Sequence, residues 1–167
     1  AMMVAYSPTS NHTSSLPAVH LKYVVDVYGP TRLKDIYQAP IIDTLYDKLE
    51  QLPNNLSGHL DLPKIIFGFD PKQDSASAWQ MMETYSPYNF LTASAPPTLI
   101  VHGDKDRLVS VSQSIQLKVK LDSLNVKNEI HLVAGVDHAF VYATPEQKTM
   151  LQKWIVEFII QNYSNGK

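Results

Sequence analysis

Thr98-Leu99-Ile100-Val101-His102-Gly103-Asp104-Lys105-Asp106 is the stretch around which the chain is organised. Pro96-Pro97 punctuates its start and His102-Gly103 ends its apolar run. Thr98 to Val101 therefore reads as a short strand covered on both faces, as in the middle of a parallel sheet. A loop with two aspartates and an arginine follows directly. The pattern recurs once, as Glu129-Ile130-His131-Leu132-Val133-Ala134-Gly135 followed by Val136-Asp137-His138. An Asp-bearing loop and a His-bearing loop thus each leave the end of a strand, with a helical segment between them. In open α/β sheets, such carboxyl-end loops are where sites assemble.

The totals bound the class. A length of 167 residues allows one domain with a real core, taken here as 1–167. With 44% apolar residues and a net charge of -2, the chain reads as globular and carries no nucleic-acid signature. No apolar run reaches the length of a membrane span. There is no cysteine, so disulfide and thiolate chemistry are excluded, while the redox compartment stays open. Cytoplasm is the expectation over secretion. Ala1 to Tyr6 is short and uncharged, unlike a signal peptide, and reads as the last turns of a helix with no cap before it.

Along the chain, Ser7 to Ser15 is a polar loop, and Tyr23 to Tyr28 is a β-branched and aromatic strand ending at Gly29-Pro30. The segment 31–95 is the least regular and reads as a helical insert between strands. Within it, Ile41 to Leu52 and Ala76 to Tyr85 are expected helices. After Asp106, Ser110 with Gln113 three residues on has capping-box spacing. Leu117, Leu121 and Leu124 then make a stripe that Ile115 and Val119 widen, and Asn125 is a left-handed stop. A last helix starts at Thr144-Pro145 with Gln147 at the third position. Met150, Leu151, Trp154, Ile155, Phe158 and Ile159 form its apolar face, and 162–167 is a fraying tail. The order is α/β: three parallel strands forming a half-sheet, with flanking helices.

Asp106 and His138 are the candidate catalytic pair. A carboxylate can hold an imidazole in one tautomer, and the imidazole can then take a proton from a nucleophile and return it to a leaving group. The plainer alternative is an Asp capping its own turn beside a locally satisfied His. Asp104 reads as a turn former, Asp137 as too close in sequence to face the ring, and His102 as structural. No spacing suggests a metal, and no Gly-rich loop suggests a nucleotide, so no cofactor is expected. The nucleophile is the missing part. A Gly-x-Ser-x-Gly elbow needs small flanking residues, and no two of the six glycines lie four apart. Ser7 and Ser86 each precede a proline in a loop.

Taken together, Thr98 to Gly103, Asp106, Val109 and Gln113-Ser114 resemble the acid-residue segment of α/β-hydrolases of the esterase, lipase and prolyl-oligopeptidase-like group. Val133 to Phe140 resembles the histidine segment, and Tyr28-Gly29-Pro30-Thr31 and Ser86-Pro87 resemble neighbouring segments. Ser110 stands where that group commonly has proline. The resemblance implies Asp106 as triad acid and His138 as base, on strands corresponding to the sixth, seventh and eighth of an eight-stranded sheet. It further implies a chain that begins just after the elbow, lacking the serine and the oxyanion loop. The expected function is the C-terminal part of a serine esterase or lipase. It would act on a small-molecule ester, with Tyr28 and the insert lining an acyl or alcohol pocket. A peptidase, or an inactive structural module, is the alternative. The strand at 23–28 would have an open edge, inviting a homodimer or a separate N-terminal segment.

Overall fold

The computed structural model describes residues 2–6, 21–38, 44, 68–69 and 73–164. In chain order these form α1 (Met2–Tyr6), β1 (Val24–Val27), α2 (Leu33–Tyr37), α3 (Ser75–Thr84), a 3-10 turn at Pro87–Phe90, β2 (Thr98–Gly103), α4 (Val111–Ser123), β3 (Asn128–Val133), a second 3-10 turn at His138–Phe140, and α5 (Pro145–Ser164). The expected helix at Ile41 to Leu52 and the loop at Ser7 to Ser15 lie outside the described residues.

The three strands make one sheet in the order β1-β2-β3, parallel throughout. Every residue of β2 is buried, as a central strand covered on both faces requires. β2 is two residues longer than the apolar run suggests. His102 pairs with Leu132 and Gly103 with Val133, so the ladder continues through the polar end. A buried imidazole is tolerated there because both ring nitrogens find partners, described below.

Alternation along the strands divides the core. Val24 and Ile100 face α1 and α4, where they pack with Tyr6, Leu117, Leu121 and Val126. Leu99, Val101 and Val133 face α5, packing with Leu151 and Phe158. His102 shares the parity of Thr98 and Ile100, which turns it towards α4.

The helix signals hold in part. Thr144 and Gln147 form a reciprocal capping box on α5: Thr144 N–H donates to Gln147 Oε1 at 2.9 Å, and Gln147 N–H to Thr144 Oγ1 at 3.2 Å. On α4, Ser110 caps through Ser112 N–H, but Gln113 does not reach back to it. Gln113 is buried and its Oε1 accepts from the backbone N–H groups of Thr31 and Arg32, each at 2.9 Å, tying the loop after β1 to α4. Asn125 is left-handed, with φ 55°. Ile115, Val119 and Met150 are exposed, so the apolar stripes of α4 and α5 are narrower than their composition implies. The expected fraying tail is helical through Ser164, and Asn162 is buried, accepting from Lys127 Nζ at 3.0 Å.

One polar group on the β1 face is poorly served. Asp26 is 3% exposed, and its Oδ1 accepts from Gly29 N–H at 3.0 Å. A Cβ at residue 29 would collide with that same oxygen, so glycine is required there. Asp26 Oδ2 has no partner among the described residues. It sits beside a cavity of about 560 Å³ lined by Met2, Met3, Leu33 and Tyr85. Burial pushes the Asp26 carboxyl up to about 7. Because the folded state favours the protonated acid, stability is greatest below the ordinary carboxyl range. It falls as the pH rises towards 7, then levels off. Asp26→Asn removes that titration. Urea unfolding across this range should show a flatter pH profile for the variant, and an unchanged slope would contradict the assignment.

Candidate active site

The site lies where the chain leaves β2 and β3. Gly103 makes it possible: a Cβ there would run into the backbone carbonyl of Val136, so only glycine lets the two loops approach. Backbone bonds then stitch them together. Asp104 N–H donates to Val133 O and Lys105 N–H to Val136 O, both at 3.0 Å. Asp104 Oδ1 accepts from Gly135 N–H at 2.7 Å, which makes Asp104 a brace between the loops, consistent with its reading as a turn former.

Asp106 is fully buried at the centre. Its Oδ1 accepts from Leu108 N–H at 2.9 Å and Val109 N–H at 2.8 Å, an Asx-type turn that fixes the side chain against its own loop. Its Oδ2 faces His138 Nδ1 at 2.8 Å. Sequence places these two residues on neighbouring loops, and the structure brings their side chains into hydrogen-bond contact. Nδ1 faces an acceptor and therefore carries the proton, which leaves Nε2 as the basic nitrogen of the neutral ring. The His138 side chain is 31% exposed, and no described residue hydrogen-bonds Nε2. The arrangement can accept a proton at Nε2 while the carboxylate stabilises the resulting imidazolium.

A second rung lies beside the first. Arg107 and Asp137, the chain neighbours of the pair, join through Arg107 Nε at 2.6 Å and Arg107 N–H at 3.0 Å. Asp137 Oδ1 also accepts from His138 N–H at 2.8 Å, so it braces the backbone and leaves the ring to Asp106. The Arg107 and His138 backbone N–H groups, with the Arg107 guanidinium, hold the Asp137 carboxyl down at about 2. Tyr28 stacks edge-on to His138, ring centroids 4.8 Å apart, and to Phe140 at 5.1 Å. Its backbone is left-handed, φ 45°, as are Ala139, Phe140 and Tyr142. Left-handed non-glycine positions of this kind cluster at functional sites.

His102, read from sequence as structural, also reaches Asp106: its Nε2 lies 3.1 Å from Oδ2. The available signal was parity, since the last residues of β2 alternate faces. The described serines at hand are otherwise engaged. Ser86 Oγ donates to Met82 O at 2.6 Å, Ser110 pairs with Ser112 at 2.9 Å, and Ser114 pairs with His102 at 2.7 Å. Among the described residues no cluster of three or more His, Asp or Glu could hold a metal, and no helix is long and apolar enough to cross a membrane.

A family model described as BD-FAE matches residues 2–121. This span includes Asp106 and stops short of His138. A truncated form of a carbohydrate esterase from gut microbiota is similar in structure, with a TM-score of 0.54 and 22% identity over 92% of this chain. The chain spans 55% of that esterase's length. Pyrococcus horikoshii acylaminoacyl peptidase gives a TM-score of 0.61 at 16% identity, over 87% of this chain and 20% of that one. An acetyl ester-xyloside bifunctional hydrolase from Caldicellulosiruptor lactoaceticus gives 0.53 at 17% identity, over 94% of this chain and 53% of that one. At these identities the likeness is one of fold. No curated protein sequence matches the chain.

The Arg107–Asp137 rung has an acid signature. A depressed carboxyl contributes stability above its ordinary range, and that contribution is lost as pH falls from about 4 towards 2. Asp137→Asn should therefore be less stable than the parent at neutral pH, with the gap closing across that window in urea titrations. A gap that stays constant down to pH 2 would contradict the rung.

Proposed function

The chain belongs to the BD-FAE family and has the open parallel sheet and flanking helices of an α/β-hydrolase, and on that premise we propose that it carries the acid and base of a serine-type carboxylic ester hydrolase. The observation that carries the reading is the 2.8 Å contact between His138 Nδ1 and the buried Asp106 carboxylate, beside a partly exposed ring. In the proposed reaction, His138 Nε2 takes the proton from a serine hydroxyl as its oxygen attacks the ester carbonyl. It then returns the proton to the departing alkoxide, leaving an acyl-serine. Water, deprotonated by the same nitrogen, releases the acid and regenerates the serine. Asp106 holds the ring in the tautomer this needs and stabilises the imidazolium. Tyr28 and Phe140, flanking His138, line the approach for an acyl or alcohol group.

The nucleophile is assigned outside these residues. The 167 residues hold no Gly-x-Ser-x-Gly, and hydrolases of this fold order their triad Ser, then Asp, then His. On this reading the serine and its oxyanion donors are supplied from outside these 167 residues. The missing elbow favours one rival specifically, an inactive structural module descended from a hydrolase.

A fluorophosphonate probe and two esters, p-nitrophenyl acetate and an acetylated sugar, separate these readings. The 167-residue chain should take up no probe. A polypeptide joining it to an upstream elbow strand should be labelled at the elbow serine and should turn over ester. In that polypeptide, Asp106→Asn should lower kcat on the order of 10⁴-fold by favouring the wrong tautomer, and His138→Ala at least as much. Labelling of a serine within these residues would contradict the assignment of the nucleophile. Undiminished turnover in His138→Ala would contradict the base.

A further inference from the structure

We propose that His102 is a positioning residue for the acid–base pair. Its Nε2–H, hydrogen-bonded to Val109 O, lies 3.1 Å from Asp106 Oδ2 and by its positive edge holds that oxygen on His138. The inference rests on the reading of Asp106 and His138 as orienter and base.

The proton count follows from the neighbours. His102 is wholly buried on the α4 side of β2. Its Nε2 faces two acceptors and no donor: the Val109 carbonyl at 2.8 Å and Asp106 Oδ2 at 3.1 Å. Nε2 therefore carries a proton, donated to Val109 O, with Oδ2 in the field of the same N–H. Its Nδ1 lies 2.7 Å from the Ser114 hydroxyl, which can donate to it. The neutral ring is then satisfied at both ends, and Ser114 selects the tautomer.

The consequence falls on Asp106. Its two oxygens offer about four acceptor sites. Three hydrogen bonds reach them, from Leu108 N–H and Val109 N–H to Oδ1 and from His138 Nδ1 to Oδ2, and His102 Nε2 approaches Oδ2 to 3.1 Å. The two amides belong to the same loop as Asp106 itself. His102 belongs to β2 and is clamped between that loop's Val109 carbonyl and α4. Only His102 therefore ties the carboxylate to a rigid element. Without it, Oδ2 would keep one partner, a partly exposed ring on another loop. The carboxyl could then turn away from His138 while still holding its own amides. The chain Ser114–His102–Asp106–His138 thus carries orientation from the core of α4 to the exposed ring.

Imidazole ¹⁵N NMR on the 167-residue chain, at a pH where both rings are neutral, tests this without any need for turnover. In the parent, His102 should be protonated at Nε2 and bare at Nδ1, and His138 should be protonated at Nδ1. His102→Gln keeps an N–H near the position of Nε2 and should preserve the His138 tautomer. His102→Asn places its amide near Nδ1 only, and should convert His138 to a mixture of tautomers. Asp106→Asn, as a control, should abolish the Nδ1–H preference altogether. A purely structural role for His102 would lower the melting temperature of both His102 variants and leave the His138 tautomer alone. If Asp106→Asn shifts His138 and His102→Asn does not, the positioning role is overturned while the base reading stands. If Asp106→Asn has no effect on His138, the base reading itself fails. Should neither His102 variant fold, the parent spectrum decides, because a bare Nε2 on His102 overturns the proposal directly.

Discussion

A single carboxylate, that of Asp106, joins the two loops that leave β2 and β3. Its side chain is inaccessible to water: Oδ1 accepts from two amides, Oδ2 accepts from His138, and His102 Nε2 lies 3.1 Å from Oδ2. A buried carboxylate in that position is costly unless its acceptor sites are filled, and here hydrogen bonds come from its own loop and from the loop after β3, with the His102 ring of β2 alongside. Removing any donor leaves a desolvated lone pair, so each loop is held by the cost of letting go. The glycine at 103 is the steric condition for this, because any side chain there would push the two loops apart.

Around that centre the backbone is bent out of ordinary conformations. Of the five left-handed non-glycine residues among those described, Ala139, Phe140 and Tyr142 follow His138 directly, and Tyr28 packs on its ring. Each such position costs on the order of 1–3 kcal/mol and persists only where the surroundings over-determine it. The surroundings here are the Arg107–Asp137 rung, the backbone bonds from Lys105 and Asp104, and the capped start of α5. The imidazole is presented at the surface by a loop that would relax if these were cut. That rigidity supports the proposed reading of His138 as a base.

Much of this was legible in the sequence, because the signals were local. The buried run Thr98 to Val101, the loops that follow two strands, the Thr144-Pro145-Gln147 helix start and the left-handed stop at Asn125 each depend on a few adjacent residues. The juxtaposition of Asp106 and His138 follows from parallel strands placing their exits side by side. What was misread depends on distant partners. Gln113 has the spacing of a capping residue, but two amides of the loop after β1 compete for its side chain and win. Ile115, Val119 and Met150 extend apolar stripes on paper, yet a three-stranded sheet is too narrow to cover them. His102 reads as structural and is buried; its contacts with Val109, Ser114 and Asp106, on which the proposed positioning role rests, depend on the face it takes and leave no local signal. Asp26 gave no sign of its burial, since an alternating strand ordinarily turns such a residue to water.

The central claim is that Asp106 Oδ2 faces a proton-bearing nitrogen of each of two histidines. Neutron diffraction on deuterium-exchanged crystals measures this directly. The account predicts one deuteron on His138 Nδ1, directed at Oδ2, and one on His102 Nε2, lying between the Val109 carbonyl and Oδ2, with none on the carboxyl itself. A deuteron on Oδ2, or a bare nitrogen at either position, would contradict it.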